Sequence, residues 1–168
     1  MKNKKLFVLI PVVALLLCAA FIFTACSGGG GNDTPKSVLT DYISGKNNYD
    51  AQKIAGTLYV KGYSEYNKYI KDNEIPMKAA KQKDKTLKTS IKMSLVSFDI
   101  IVETNTTATA KAIVKITAKV YGYKLPNSTE TITKIRFDNI DGKWYLKEDT
   151  FKLDLSAIVD IFGGLFGV

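Results

Sequence analysis

Cys26 is the residue whose neighbours define a chemistry most narrowly in this chain of 168 residues. Thr24 and Ala25 precede it, and they close an uncharged run, Leu6 to Ala25, that follows Lys2, Lys4 and Lys5. The lysines resist translocation, the apolar run partitions into a bilayer, and small residues before the thiol admit a peptidase. A thiol in that position is an acceptor for lipid once the leader has been removed. The sequence therefore predicts cleavage after residue 25, acylation of Cys26 and a protein held on the outer side of a cell membrane. Phe23 stands where leucine is commoner, and Cys18 is a poor alternative because bulky Leu17 precedes it. The twenty uncharged residues would also span a bilayer as a helix, so a retained N-terminal anchor is the competing reading. Either one leaves the rest of the chain on the same side.

The remaining chemistry is sparse. There is no histidine, which excludes His-based triads, Cys–His pairs and most zinc sites. The only other cysteine lies in the leader, so the mature domain has no disulfide and must be held by its core. An isomerase- or hydrolase-like site would need a carboxylate in an apolar cavity beside an acidic donor such as tyrosine. Asp99 and nine tyrosines are candidates, but Asp99 alternates with Val96, Phe98, Ile100 and Val102 and is expected to point outward, away from that apolar face. No catalytic residue is assigned. Asp138, Asn139 and Asp141 lack the twelve-residue frame of a calcium loop and read as a turn, so no metal and no cofactor is expected. Tyr59, Tyr63 and Tyr66 fall at helical spacing; with Phe98 and Trp144 they are the candidate lining of a ligand pocket, and ordinary core is the alternative for each.

The elements that must position these residues can be read in order. Thr34 is an N-cap with Pro35 behind it, and Val38, Leu39, Tyr42 and Ile43 follow at helical spacing until Gly45, expected to stop the helix. Asp50 opens a second helical stretch through Ile54, Leu58 and the tyrosines to Ile70, with a possible break near Gly62. Met77 to Thr89 is rich in lysine and reads as an exposed helix or loop. From Ile91 the pattern turns to β. Ala108, Ala110, Ala112, Val114, Ile116, Ala118 and Val120 alternate with polar residues, the clearest period of two in the chain. Thr129 to Phe137 is a further strand, and Asn139-Ile140-Asp141-Gly142 a tight hairpin into Lys143 to Lys147. Helices followed by a meander of strands make an α+β fold. The alanine row admits a closely packed helix or leaves room for a pocket.

The segment from Pro35 to Ile43, then Asn48-Tyr49-Asp50-Ala51, resembles the opening of small bacterial lipoproteins with a nuclear-transport-factor-2-like (cystatin-like) domain, although Asn47-Asn48 replaces their commoner Gly-Asp. Asp141-Gly142-Lys143-Trp144-Tyr145-Leu146 looks like their final strand. The resemblance covers about residues 35–150. It implies N-terminal helices wrapped on a curved antiparallel sheet of about four strands, a cone able to hold a small ligand. The superfamily includes isomerase-like enzymes and non-enzymatic binders, and the fold does not choose between them.

The domain plan is a leader (1–25), a flexible glycine-rich tether (26–34), the cystatin-like domain (35–152) and an apolar tail (153–168). Loss of the three leader lysines takes the net charge from +8 to +5. That balance favours anionic surface polymers or headgroups, and nucleic acid is not an expected partner. The lysine run from Lys78 to Lys92 reads as such a contact or as a solvated face. In the tail, Ile158, Phe162 and Phe166 lie at helical spacing. A short C-terminal apolar helix is expected to cap its own cone, dock on a partner or dip into the bilayer. The resulting expectation is a lipid-anchored, extracytoplasmic, non-catalytic domain that binds a small apolar ligand or an envelope protein. An isomerase- or hydrolase-like enzyme using a carboxylate and a tyrosine in the cone, and a structural accessory of an envelope complex, are the alternatives.

Overall fold

The computed structural model of the protein describes residues 31–147. The leader, Cys26, most of the tether and the tail with Ile158, Phe162 and Phe166 lie outside the described residues, and so does the expected C-terminal helix.

Three helices pack against a curled antiparallel half-barrel. The helices are α1 (Pro35–Asn48), α2 (Ala51–Leu58) and α3 (Ser64–Leu87). The strands are β1 (Ser90–Glu103), β2 (Thr107–Val120), β3 (Tyr123–Lys124), β4 (Ser128–Ile140) and β5 (Lys143–Leu146). Their order across the sheet is β1-β2-β4-β5, with the two-residue β3 hydrogen-bonded to β2. The α+β expectation holds.

Local chemistry accounts for the helix ends. Thr34 accepts from the Ser37 amide at 3.1 Å while the Ser37 hydroxyl accepts from the Thr34 amide at 3.1 Å, a reciprocal cap in front of Pro35. Gly45 does not stop α1. The helix runs on to Asn48 and ends where Tyr49 turns left-handed (φ 59°). Gly45 is instead buried where α2 crosses, and a Cβ there would lie 2.7 Å from Ile54 Cγ1. Asp50 caps α2, its carboxylate accepting from the Lys53 amide at 2.9 Å. The helical stretch from Asp50 to Ile70 is broken near Gly62, as expected: α2 ends at Leu58, Gly62 adopts φ 93°, and α3 starts at Ser64. The lysine-rich segment is the second half of α3, which continues through Pro76 on an exposed side. This helix packs chiefly on α2, and its Tyr69 and Met77 reach the edge of the core.

The core lies between α1, α2 and the concave face of the sheet. Val38, Leu39, Ile54, Val114, Ile116, Ile135, Phe137 and Leu146 are fully buried. Burial of one such side chain contributes about 1.5–3 kcal/mol. On β2, Ala108, Ala110, Ala112, Val114, Ile116 and Ala118 are all buried, so the period of two holds along the strand and close packing, not a pocket, explains the alanines. On β1 the expected apolar face is broken. The register slips between Leu95 and Ser97 and again between Ile100 and Val102. Each bulge reverses which side the next residues take. Phe98 and Ile100 therefore pair with buried alanines, whereas Val96 sits on a bulge and Val102 faces outward, both well exposed. Asp99 is exposed, as expected.

Candidate functional site

Among the described residues β1 has a neighbouring strand on one side only. Its other rim faces α1. Between them lies an open groove of about 380 Å³, lined on the helix by Thr40, Ile43, Ser44 and Asn47 and on the strand by Lys92, Met93, Ser94 and Leu95. Asn47 spans it. Its side-chain nitrogen donates to the Met93 carbonyl at 2.8 Å and its side-chain oxygen accepts from the Met93 amide at 2.8 Å. This is the bonding that a residue of an adjacent strand would provide. The Lys92 ammonium also donates to the Asn47 backbone carbonyl. Because Met93 turns its amide and carbonyl to this rim, Ile91 and Leu95, two residues away on either side, turn theirs the same way. Farther along, Val96, Ile100, Ile101 and Val102 expose between 43% and 61% of their surface. Ser97 Oγ is buried beside the first bulge with no partner among the described residues. The groove thus has main-chain hydrogen-bonding groups along one wall and apolar side chains beyond its mouth.

A second groove of about 380 Å³ runs between the α1–α2 joint and α3, lined by Asn48, Tyr49, Asp50, Ala51, Gln52, Glu74, Lys78 and Lys81. Next to it the Tyr49 hydroxyl donates to Asp84, whose other oxygen accepts from the Thr89 hydroxyl at 2.8 Å. Burial, then the Asp84 hydrogen bond and negative charge, push the Tyr49 hydroxyl from its ordinary 10.0 up to about 12. A phenol made less acidic is a poor proton donor to a developing oxyanion. This pair ties the end of α3 to the end of α1, and it lies outside the concave core.

The five candidate pocket residues do not line either groove. Tyr59 closes α2 and stacks obliquely on Tyr69, with ring centres 5.9 Å apart. Tyr63 precedes α3 and is 59% exposed, while Tyr66 is half-buried on α3. Phe98 meets Phe137 edge-on at 6.1 Å. Trp144 is 6% exposed in the core, and its backbone amide donates to the Asn32 carbonyl at 2.7 Å. The tyrosines at helical spacing are separated by the break at Gly62. Nothing in the sequence around Asn47 announces a bond to a residue 46 positions away. Among the described residues no group of three Cys, Asp or Glu side chains is placed to hold a metal ion, and no helix is long and apolar enough to cross a membrane.

No protein-family model matches the sequence, and no curated protein matches it. Among solved structures the chain is similar to the intermembrane space region of the chloroplast protein ARC6, with 9% identity and a TM-score of 0.37 over 67% of this chain and 89% of that one.

Proposed function

We propose that the chain is a lipid-anchored, non-catalytic binding domain that works outside the cytoplasm and receives an extended segment of an envelope protein along β1. Residues 1–26 support the anchor and the location, through a basic start, an apolar run and a thiol behind Thr24 and Ala25. The observation that carries the binding mode is the rim of β1, where Asn47 already acts as one residue of a missing strand. Strand addition draws affinity from main-chain hydrogen bonds and selectivity from alternate side chains, and β1 offers both. An enclosed small ligand is the weaker reading, because Leu39, Ile54, Phe137 and their neighbours fill the space between the helices and the sheet.

Two measurements test this. Fatty-acid labelling should be lost in Cys26→Ala; unchanged labelling would remove the anchor. Photocrosslinking residues placed at Val96 and Ile101 in the native cell should join one envelope protein through a single extended segment, and the same residue at Lys68 should not. Adducts only with the chain's own tail or with a second copy, equal adducts at all three sites, or none, would overturn the partner.

A further inference from the structure

The end of the sheet farthest from the point where residues 31–33 join the domain carries an unusual tip. Tyr121 and Gly122 connect β2 to β3 as a two-residue turn in which both have positive φ, 49° and 86°. Such turns favour Asn, Asp or Gly at the first position, because a bulky residue is strained in the left-handed region. The same protein makes the low-strain choice in its other tight hairpin, Asp141-Gly142, at 52° and 79°. Here it places a tyrosine, and the ring is 59% exposed; Tyr123, two residues on, is 77% exposed. The turn is docked on the end of α3, where the Gly122 amide donates to the Lys88 carbonyl at 2.9 Å. Lys88 is itself left-handed, at φ 52°, in a helix-closing position where glycine is usual.

Charge gathers at the same place. Lys119 and Lys124 lie directly opposite each other, and the residue on the far side of Lys119 is Ser90, so no carboxylate faces them across the ladder. Like charges in that position oppose the hairpin. Lys85 and Lys88 close α3 beside them. The nearest acid on that helix end, Asp84, is occupied by the Tyr49 and Thr89 hydroxyls. Two strained backbones and one repulsive pair thus hold two phenol rings and four lysines at one tip.

We propose that this tip, the Tyr121–Gly122 hairpin with the closing turn of α3, docks on the anionic headgroup layer of a lipid bilayer. Lysines supply the attraction to acidic headgroups. Exposed tyrosines, apolar in the ring and polar at the hydroxyl, settle at the level of the headgroups, and binding to a soluble polyanion would give them no such role. The inference stands independently of lipid on Cys26. Trp144, where the incoming chain is pinned through Asn32, pairs with Asn139, which donates to Thr106 just before β2. From Thr107 to Lys119 the strand rises about 40 Å at roughly 3.3 Å per residue. An anchor at one end and a docking tip at the other would lay the sheet along the membrane.

The test uses the chain from Ser27 onward, which lacks the leader and Cys26 but keeps every described element and the whole described core. It is mixed with vesicles of phosphatidylcholine alone, or with an equal part of phosphatidylglycerol, and sedimented. Binding is expected only with phosphatidylglycerol, falling as salt rises. Each of Lys119→Gln and Lys124→Gln should weaken it about fivefold. Tyr121→Asn with Tyr123→Thr keeps a residue tolerant of positive φ in the turn and should weaken the binding that persists at high salt. Lys68→Gln with Lys71→Gln, at the other end of α3, should change nothing. Circular dichroism verifies that each variant is folded. No vesicle binding, equal binding to both vesicles, or equal loss in the Lys68/Lys71 variant would overturn the proposal. So would binding to soluble polyphosphate that equals vesicle binding and survives the tyrosine changes.

Discussion

Gly45→Ala tests how the helices are joined, and its sign is opposite to what helix propensity alone gives. The backbone at Gly45 lies in an ordinary helical conformation, so alanine brings no left-handed strain. In an open helix the change would gain about 1 kcal/mol. Here the new Cβ would meet Ile54 Cγ1 at 2.7 Å, the Ile54 amide nitrogen at 3.2 Å and the Asp50 carbonyl oxygen at 3.4 Å. Ile54 is fully buried and cannot swing aside, and its amide is bonded to that same Asp50 carbonyl at 3.1 Å as α2 begins. Relief requires α2 to move off α1, and overpacking of this kind costs about 1–3 kcal/mol. With backbone atoms among the contacts the upper part of that range applies, for a net loss of about 1–2 kcal/mol. A loss of that size lowers Tm by roughly 4–10 °C for a domain of this length. Gly56, in α2, is the control: its added Cβ would meet nothing within 4 Å. Gly56→Ala should stabilise by about 0.5–1 kcal/mol. Thermal and urea unfolding of both variants, followed by circular dichroism, gives the comparison. If Gly45→Ala stabilises as much as Gly56→Ala, the close crossing of α1 and α2 is refuted.

Asn47→Ala removes two 2.8 Å hydrogen bonds to Met93 and should cost about 1–3 kcal/mol; an unchanged urea midpoint would show that the amide does not hold α1 to β1. Tyr49→Phe should alter the response to alkali. The folded hydroxyl ionises near 12 and the unfolded one near 10.0, so stability from this group is intact below about pH 10 and is lost as pH rises toward 12. The phenylalanine variant should show a shallower fall across that window, measured by urea unfolding at fixed pH, and parallel curves would refute the shift. Lys53→Ala breaks a 3.0 Å ion pair with Asp41 between α2 and α1. Lys53 is partly exposed, so the loss should stay within about 1 kcal/mol, and a double-mutant cycle with Asp41→Ala measures it.

What could be read in the sequence was the periodic part. The alanine row of β2 gave its buried face residue by residue, because a strand without bulges keeps one phase from end to end. The Thr34–Pro35 start and the Asp141–Gly142 hairpin were legible because their chemistry is local. Gly45 misled for a physical reason. Glycine serves both a helix end and a close crossing, and only the position of Ile54 separates the two. On β1 the two bulges carry no signature in composition, so Val96 and Val102 were placed with Phe98 and Ile100 on one face that the strand does not keep. The groove depends on Asn47 and Met93, and a contact across 46 residues leaves no trace in the pattern of either segment.

The positions with unfavourable local choices sort by whether the interior explains them. Among the described residues, four other than glycine take positive φ: Tyr49, Lys88, Tyr121 and Asp141. Tyr49 is partly buried against Asp84, and its conformation aims the hydroxyl that ties α1 to α3. Asp141 is a residue such a turn prefers. Lys88 and Tyr121 have exposed side chains, and the bond that links them is made by the Gly122 amide and the Lys88 carbonyl, which any residue at 88 would provide. Glycine or asparagine at either position would give the same backbone with less strain. Burial therefore accounts for the first, turn preference for the last, and neither for the two at the tip. Strain that the folded core does not require points to a demand from outside the chain. A rim at β1 with one side chain standing in for a strand makes the same kind of demand, through main-chain groups turned away from the sheet instead of strain.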